Sequence, residues 1–139
     1  MIIGEHGDSQ VPVWSQVLIK GKKVDDYSKD NDIKWNDDIK NEISDKVKNM
    51  GSSIIKQKGR TQYGIATCTA DIVNAVLTDK KITIPVSSPM QGEYEISGLS
   101  LSYPSVIGKN GVENRVGVEL NNKEIDLLKF SADRVRSIV

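Results

Sequence analysis

One histidine occurs in the chain, His6, in the run Gly4-Glu5-His6-Gly7-Asp8-Ser9. Imidazole exchanges protons near neutral pH more readily than any other unperturbed side chain, so His6 is the first candidate for acid/base chemistry. Glycines on either side permit a tight backbone and close approach of a small ligand. Glu5, Asp8 and Ser9 offer local hydrogen-bond partners. A lone histidine in a polar, glycine-rich loop is also a common surface feature, so residue types alone leave both readings open. The single cysteine, Cys68, is remote in sequence, and no spaced His or Cys cluster exists, so no metal site is expected. No G-x-G-x-x-G run is present to cradle a dinucleotide pyrophosphate.

Structural elements must hold this loop. Residues 11 to 19 are rich in strand formers, although Pro12 argues against a central strand. Gly21-Lys22-Lys23 reads as a turn, and the polar, acidic stretch 25 to 38 as an exposed loop. Ile39, Ile43, Val47, Met50, Ile54 and Ile55 recur at helical spacing, which predicts a helix from Asp37 to Lys58 stopped by Gly59. A second helix is expected from Tyr63 to Leu77. It is apolar nearly all round, which implies burial on more than one face. Ile82, Ile84 and Val86 alternate as a strand would, and Ile96, Leu99 and Leu101 lie in a second β-prone region. Lys109-Asn110-Gly111 predicts a hairpin turn between a strand ending near Ile107 and another over Arg115 to Val118. Asn121 and Glu124 form a capping-box pattern opening a last helix, with Ile125, Leu128, Ala132, Val135 and Val139 as its buried stripe. The fold class expected is α+β, with long helices packed on one side of a mainly antiparallel sheet.

Composition narrows the partners. Nineteen basic residues balance nineteen acidic ones among 139, so nothing favours nucleic acid or an anionic membrane surface. No stretch is long and apolar enough to span a bilayer. A charged fraction of 27% is ordinary for a folded domain. One cysteine forms no internal disulfide and fits a reducing cytoplasm. Met1-Ile2-Ile3 runs straight into the histidine loop with no basic segment before it, so no signal peptide is expected. The terminus reads as a cut edge, because a catalytic loop is normally supported on both sides.

The run from Gly4 to Ser9, followed by Val11-Pro12-Val13-Trp14-Ser15, resembles the active-site segment of the L-lactate and malate dehydrogenase family. Arg60-Thr61-Gln62-Tyr63-Gly64-Ile65-Ala66 resembles the family's second substrate-side segment. Pro104-Ser105-Val106-Ile107-Gly108, the Asn110-Gly111 turn and the last helix match its ending. The resemblance covers essentially the whole chain, but only the second half of the family's usual chain. It implies a C-terminal substrate-binding and catalytic domain over residues 1–139, like that of lactate/malate dehydrogenases, with the N-terminal NAD-binding Rossmann domain absent.

Several roles follow from that resemblance. His6 would give a proton to the carbonyl oxygen of a 2-oxo acid such as pyruvate and take it back from the hydroxyl of lactate. Thr61 would contact the substrate, although a threonine there also suits a helix N-cap. Ile65 would lie against the nicotinamide of NAD, although it also suits ordinary helix core. Asp8 would be structural. The aspartate that orients the imidazole, the arginine that grips the substrate carboxylate, the arginine that polarises the carbonyl and the cofactor's glycine-rich turn belong to an upstream segment, and no motif assigns those roles to Arg60, Arg115, Arg134 or Arg136. The isolated chain is therefore expected to be inactive. Thr61, the Tyr63-to-Ala66 run and Trp14 favour the lactate branch, with 2-hydroxyisocaproate and malate dehydrogenases as alternatives. The expected partners are a small 2-hydroxy or 2-oxo acid, the chain's own Rossmann domain and further copies of itself. A non-catalytic assembly module is the reading from a different class.

Overall fold

A computed structural model describes residues 1–138. The elements follow in the order β1 (Ile2–Ile3), β2 (Val11–Pro12), a 3-10 turn (Trp14–Gln16), β3 (Leu18–Ile19), β4 (Lys22–Lys23), α1 (Val24–Asp30), α2 (Asp37–Lys58), α3 (Tyr63–Leu77), β5 (Ile82–Gln91), a second 3-10 turn (Glu93–Glu95), β6 (Ser97–Gly108), β7 (Gly111–Arg115) and α4 (Asn122–Arg136). All three sheets are antiparallel: β1-β2, β3-β4, and the larger β5-β6-β7.

Helices α2, α3 and α4 begin where the sequence pattern predicted, α2 and α3 with the bounds expected. Asn36 caps α2 by accepting from the Ile39 amide at 3.1 Å, and Gly59 ends it in the left-handed region at φ 78°. Both halves of the capping box form on α4. The Asn121 side chain accepts from the Glu124 amide at 2.9 Å, and the Glu124 carboxylate accepts from the Asn121 amide at 3.0 Å.

Three local expectations are corrected. Residues 25 to 38 are not simply a loop, because α1 occupies Val24–Asp30 and buries Val24 and Ser28. Its two turns are too short to show a repeating apolar period, although Asp25 and Asp26 at its start and Lys29 at its end suit the helix dipole. The hairpin turn between β3 and β4 is Lys20-Gly21, at φ 51° and 81°, so Lys22 and Lys23 belong to a strand. The last strand begins at Gly111 and ends at Arg115, where Arg115 to Val118 was expected. Gly111 already pairs with Gly108, so the turn is tighter than the sequence suggested.

The core lies between α4, the N-terminal segment and the large sheet. Ile3, Val11, Val13, Met90, Ile96, Leu101, Tyr103, Leu128 and Ala132 form one buried cluster. Of the expected α4 stripe, Leu128 and Ala132 are fully buried and Ile125 and Val135 half-buried, while Val139 lies outside the described residues. Helix α3, expected to be buried on more than one face, is not buried so within this chain. No residue of α2 is buried, and α3 buries only Ala75. Ile43, Val47, Met50, Ile54 and Ile55 of α2 are exposed, as are Tyr63, Ile65, Val73 and Leu77 of α3. Their apolar surface is not covered by the rest of this chain.

A small polar cluster ties the end of α3 to the β6–β7 hairpin. Lys81 pairs with Asp79 and Glu113, and Asp79 accepts from the Lys109 amide at 3.0 Å. The Lys109 amide, aided by Lys81, holds the Asp79 carboxyl below its ordinary range. Lys81 and the Asn110 amide do the same for Glu113. A carboxyl with a depressed native pKa stabilises the fold above its unfolded pKa and loses that contribution as pH falls through the native value. Glu113→Gln should therefore lower the urea midpoint near pH 7, and the gap from the parent should close as pH falls toward about 3. Urea melts across that range would refute this if the gap persisted in acid.

Candidate functional site

The histidine loop spans residues 4 to 10 and joins β1 to β2, which pair through Ile2–Pro12 and Ile3–Val11. Its first residue is inserted between the large sheet and α4. Gly4 and Ser102 exchange backbone hydrogen bonds at 2.9 Å in both directions. Gly4 has φ 87°, and a β-carbon there would lie 2.7 Å from the Ser131 hydroxyl on α4. Both facts demand glycine.

Within the loop, Glu5 folds back over Ser9. Its carboxylate accepts from the Ser9 amide at 3.2 Å and from the Ser9 hydroxyl. The Glu5 amide donates to Ser131 Oγ at 2.8 Å. Asp8 has no contact of that kind. It forms a solvent-exposed pair with Lys48 of α2 at 3.4 Å, of a class worth about 0–1 kcal/mol. Downstream, the buried Glu124 accepts from both the amide and the hydroxyl of Ser15, at 2.9 and 2.6 Å, and so fastens the end of the segment to α4.

His6 is exposed on this loop. It lines a cavity of about 710 Å³ with the C-terminal part of α2 and the start of α3. Thr61 and Ile65 line the same cavity, so the three residues singled out from sequence converge on one space. Met50, Ile54, Tyr63 and Ile65 supply apolar wall. The fixed charges of the lining are Lys58 and Arg60, and no carboxylate lines it. Neither cation forms an ion pair among the described residues. Thr61 is not a helix cap. The N-cap of α3 is Gln62, which makes no side-chain capping bond. Ile65 is not helix core either, being 67% exposed.

The arginines left unassigned by sequence separate here. Arg115 is a structural clamp. Its side chain, only 8% exposed, pairs with Glu93 at 3.1 Å, donates to the Ser88 hydroxyl and carbonyl at 2.7 and 2.9 Å, and covers the Tyr103 ring. Burial pushes the Tyr103 hydroxyl above its ordinary pKa. Arg136 pairs with Asp133 on the α4 surface, and only Arg60 reaches the cavity. Sequence reasoning missed Ser131 and the anchoring use of Glu5. Ser131 sits at helical spacing between Leu128 and Val135, so its place on the buried stripe of α4 was readable as a polar interruption.

The sequence model for the C-terminal α/β domain of lactate/malate dehydrogenases matches residues 1–139. An L-lactate dehydrogenase of Clostridium botulinum (strain 657 / Type Ba4) is 36% identical over 136 residues, covering 98% of this chain and 43% of the relative. Among solved structures, the minor L-lactate dehydrogenase of Enterococcus mundtii in its ligands-bound form superposes with a TM-score of 0.93. It is 32% identical over 99% of this chain and 44% of its own. A malate dehydrogenase from Salinibacter ruber gives a TM-score of 0.85 at 29% identity, over 99% of this chain and 43% of its own. The chain therefore belongs to the lactate/malate dehydrogenase family of oxidoreductases and has the fold of its C-terminal domain. It spans somewhat under half the length of the curated relatives it matches.

The Gly4 geometry yields a direct test. Gly4→Ala combines an unfavourable φ with a contact on the Ser131 hydroxyl. It should cost about 1–3 kcal/mol in urea-melt stability; a change within about 0.5 kcal/mol would refute the tight insertion.

Proposed function

We propose that this chain is the substrate-side domain of an NAD-dependent L-2-hydroxy acid dehydrogenase, with pyruvate and lactate as the preferred pair. The observation that carries the reading is the convergence of His6, Thr61 and Ile65 on one cavity from a loop and a helix entry far apart in sequence. A cavity whose fixed charges are both positive suits an anionic 2-oxo acid. Malate and 2-hydroxyisocaproate remain alternative substrates within the same chemistry.

In this reading, the imidazolium of His6 donates its proton to the substrate's carbonyl oxygen as that oxygen gains negative charge. In the reverse direction, the neutral ring removes the hydroxyl proton. Thr61 offers a hydroxyl to the substrate, and its methyl limits the space beside it. Met50, Ile54 and Ile65 give one side of the cavity an apolar surface, against which a flat ring would pack and from which it would exclude water. Ile65 is the residue of this chain that would bear on the nicotinamide. When bound, NAD supplies or accepts the hydride. The remaining contacts to cofactor and substrate carboxylate would come from an N-terminal Rossmann domain, a partner this reading requires.

The exposed apolar faces of α2 and α3 favour association, with that Rossmann domain and with further copies of the chain. An assembly module without catalysis shares this feature but not the need for an imidazole. The assay that separates them joins the chain to the N-terminal part of the Clostridium botulinum relative and follows NADH oxidation by pyruvate. His6→Asn should lower kcat by about 10²- to 10⁴-fold, while the 139-residue chain alone should show negligible turnover. Undiminished turnover by the variant, or ordinary turnover by the isolated chain, would overturn the reading. Size-exclusion chromatography with light scattering should find the isolated chain self-associated; a strict monomer at high concentration would count against the association surfaces.

A further inference from the structure

We infer that Ser131, on α4, is the positioning residue for His6. It lies outside the cavity and touches no reacting atom in the reading above; its role is to fix the backbone that carries the imidazole. The catalytic meaning of this inference rests on the assignment of His6 as the acid/base, whereas the positioning itself does not.

Ser131 is fully buried, and a hydroxyl removed from water must find partners or destabilise the fold. Its partners are all in the histidine loop. The Glu5 amide, immediately before His6, donates to Ser131 Oγ at 2.8 Å. The Ser9 hydroxyl, on the other side of His6, lies 3.2 Å from the same oxygen. Proton counting orients the contacts. Ser9 has one hydroxyl proton, and the Glu5 carboxylate, the stronger acceptor, takes it. Between the two hydroxyls, Ser131 must then be the donor and Ser9 the acceptor. The result is a closed ring in which the Glu5 amide donates to Ser131, Ser131 to Ser9, and Ser9 to the Glu5 carboxylate. Both flanks of His6 are thereby referred to a single oxygen on α4.

The surroundings make that oxygen a fixed point. Leu128 and Ala132, on the same face of α4, are fully buried, and the capping box fixes the start of the helix. Gly4 rests directly against the Ser131 side chain, leaving no room for slack. His6 makes no hydrogen bond of its own among the described residues, so its place is set by the backbone on either side. A proton donor misplaced by about 1 Å can lose up to about a hundredfold in rate, so such an anchor matters to a reaction.

The test needs no activity. In the 139-residue chain, Ser131→Ala should speed hydrogen exchange of the Glu5 and Ser9 amides by about tenfold or more, while β5–β6 amides stay within about twofold of the parent. The His6 ring resonances should move toward those of an unstructured histidine. Loop amides that keep their protection, or loop and sheet amides that accelerate together, would overturn the inference, because a mere packing role gives the second pattern. Should Ser131→Ala fail to fold, Ser9→Ala cuts the same ring nearer the surface and should release the loop amides selectively; unchanged loop exchange there would equally overturn it. In the joined enzyme described above, the same substitutions should lower kcat about tenfold with KM nearly unchanged. If His6→Asn left turnover intact while the exchange result held, the catalytic assignment would fail and the positioning would stand.

Discussion

The backbone of the histidine loop is wedged between a sheet strand and a helix, and much of the molecule is arranged around that contact. Gly4 bonds to Ser102 of β6 on one side and rests on Ser131 of α4 on the other. A side chain at position 4 would force the two apart. The loop's first residues therefore belong to the core, continuous with Ile3, Val11 and Val13, although the loop reaches the surface at His6. The imidazole is thus exposed on a loop whose flanks, at Gly4 and Ser9, are buried.

The opposite wall of the cavity is built differently. Few residues of α2 and α3 are held by this chain's core, and their apolar side chains face outward. Burying such side chains is worth roughly 1.5–3 kcal/mol each. A domain that leaves so many uncovered is stabilised chiefly by α4, the N-terminal segment and the sheet. The matched relatives are more than twice as long as this chain. The cavity thus has one wall, bearing the imidazole, anchored in this chain's core, and another, bearing Thr61 and Ile65, whose apolar face this chain leaves exposed.

The polar residues follow the same division. Glu5, Ser9, Ser15, Glu124 and Ser131 are buried or half-buried and bonded to one another across more than 100 residues of sequence separation. Lys58 and Arg60 line the cavity without ion-pair partners among the described residues. Paired groups inside fix geometry; unpaired cations outside leave a positive field for an anion.

The sequence by itself determined the elements whose signals are local. The spacing of Ile39 to Ile55, the stop at Gly59 and the capping box of Asn121 and Glu124 each depend on residues within a few positions, so α2 was legible with both ends and α4 with its start. The histidine run and the Thr61 segment were legible as motifs. What the sequence could not determine was which apolar faces this chain would cover, because periodicity reveals that a face exists and not what packs on it. It also could not reveal that Thr61 leaves the cap to Gln62, or that Ser131 meets Glu5. Those facts arise only when β6 and α4 close around Gly4, and a contact between residues more than 120 positions apart leaves no mark on either local stretch.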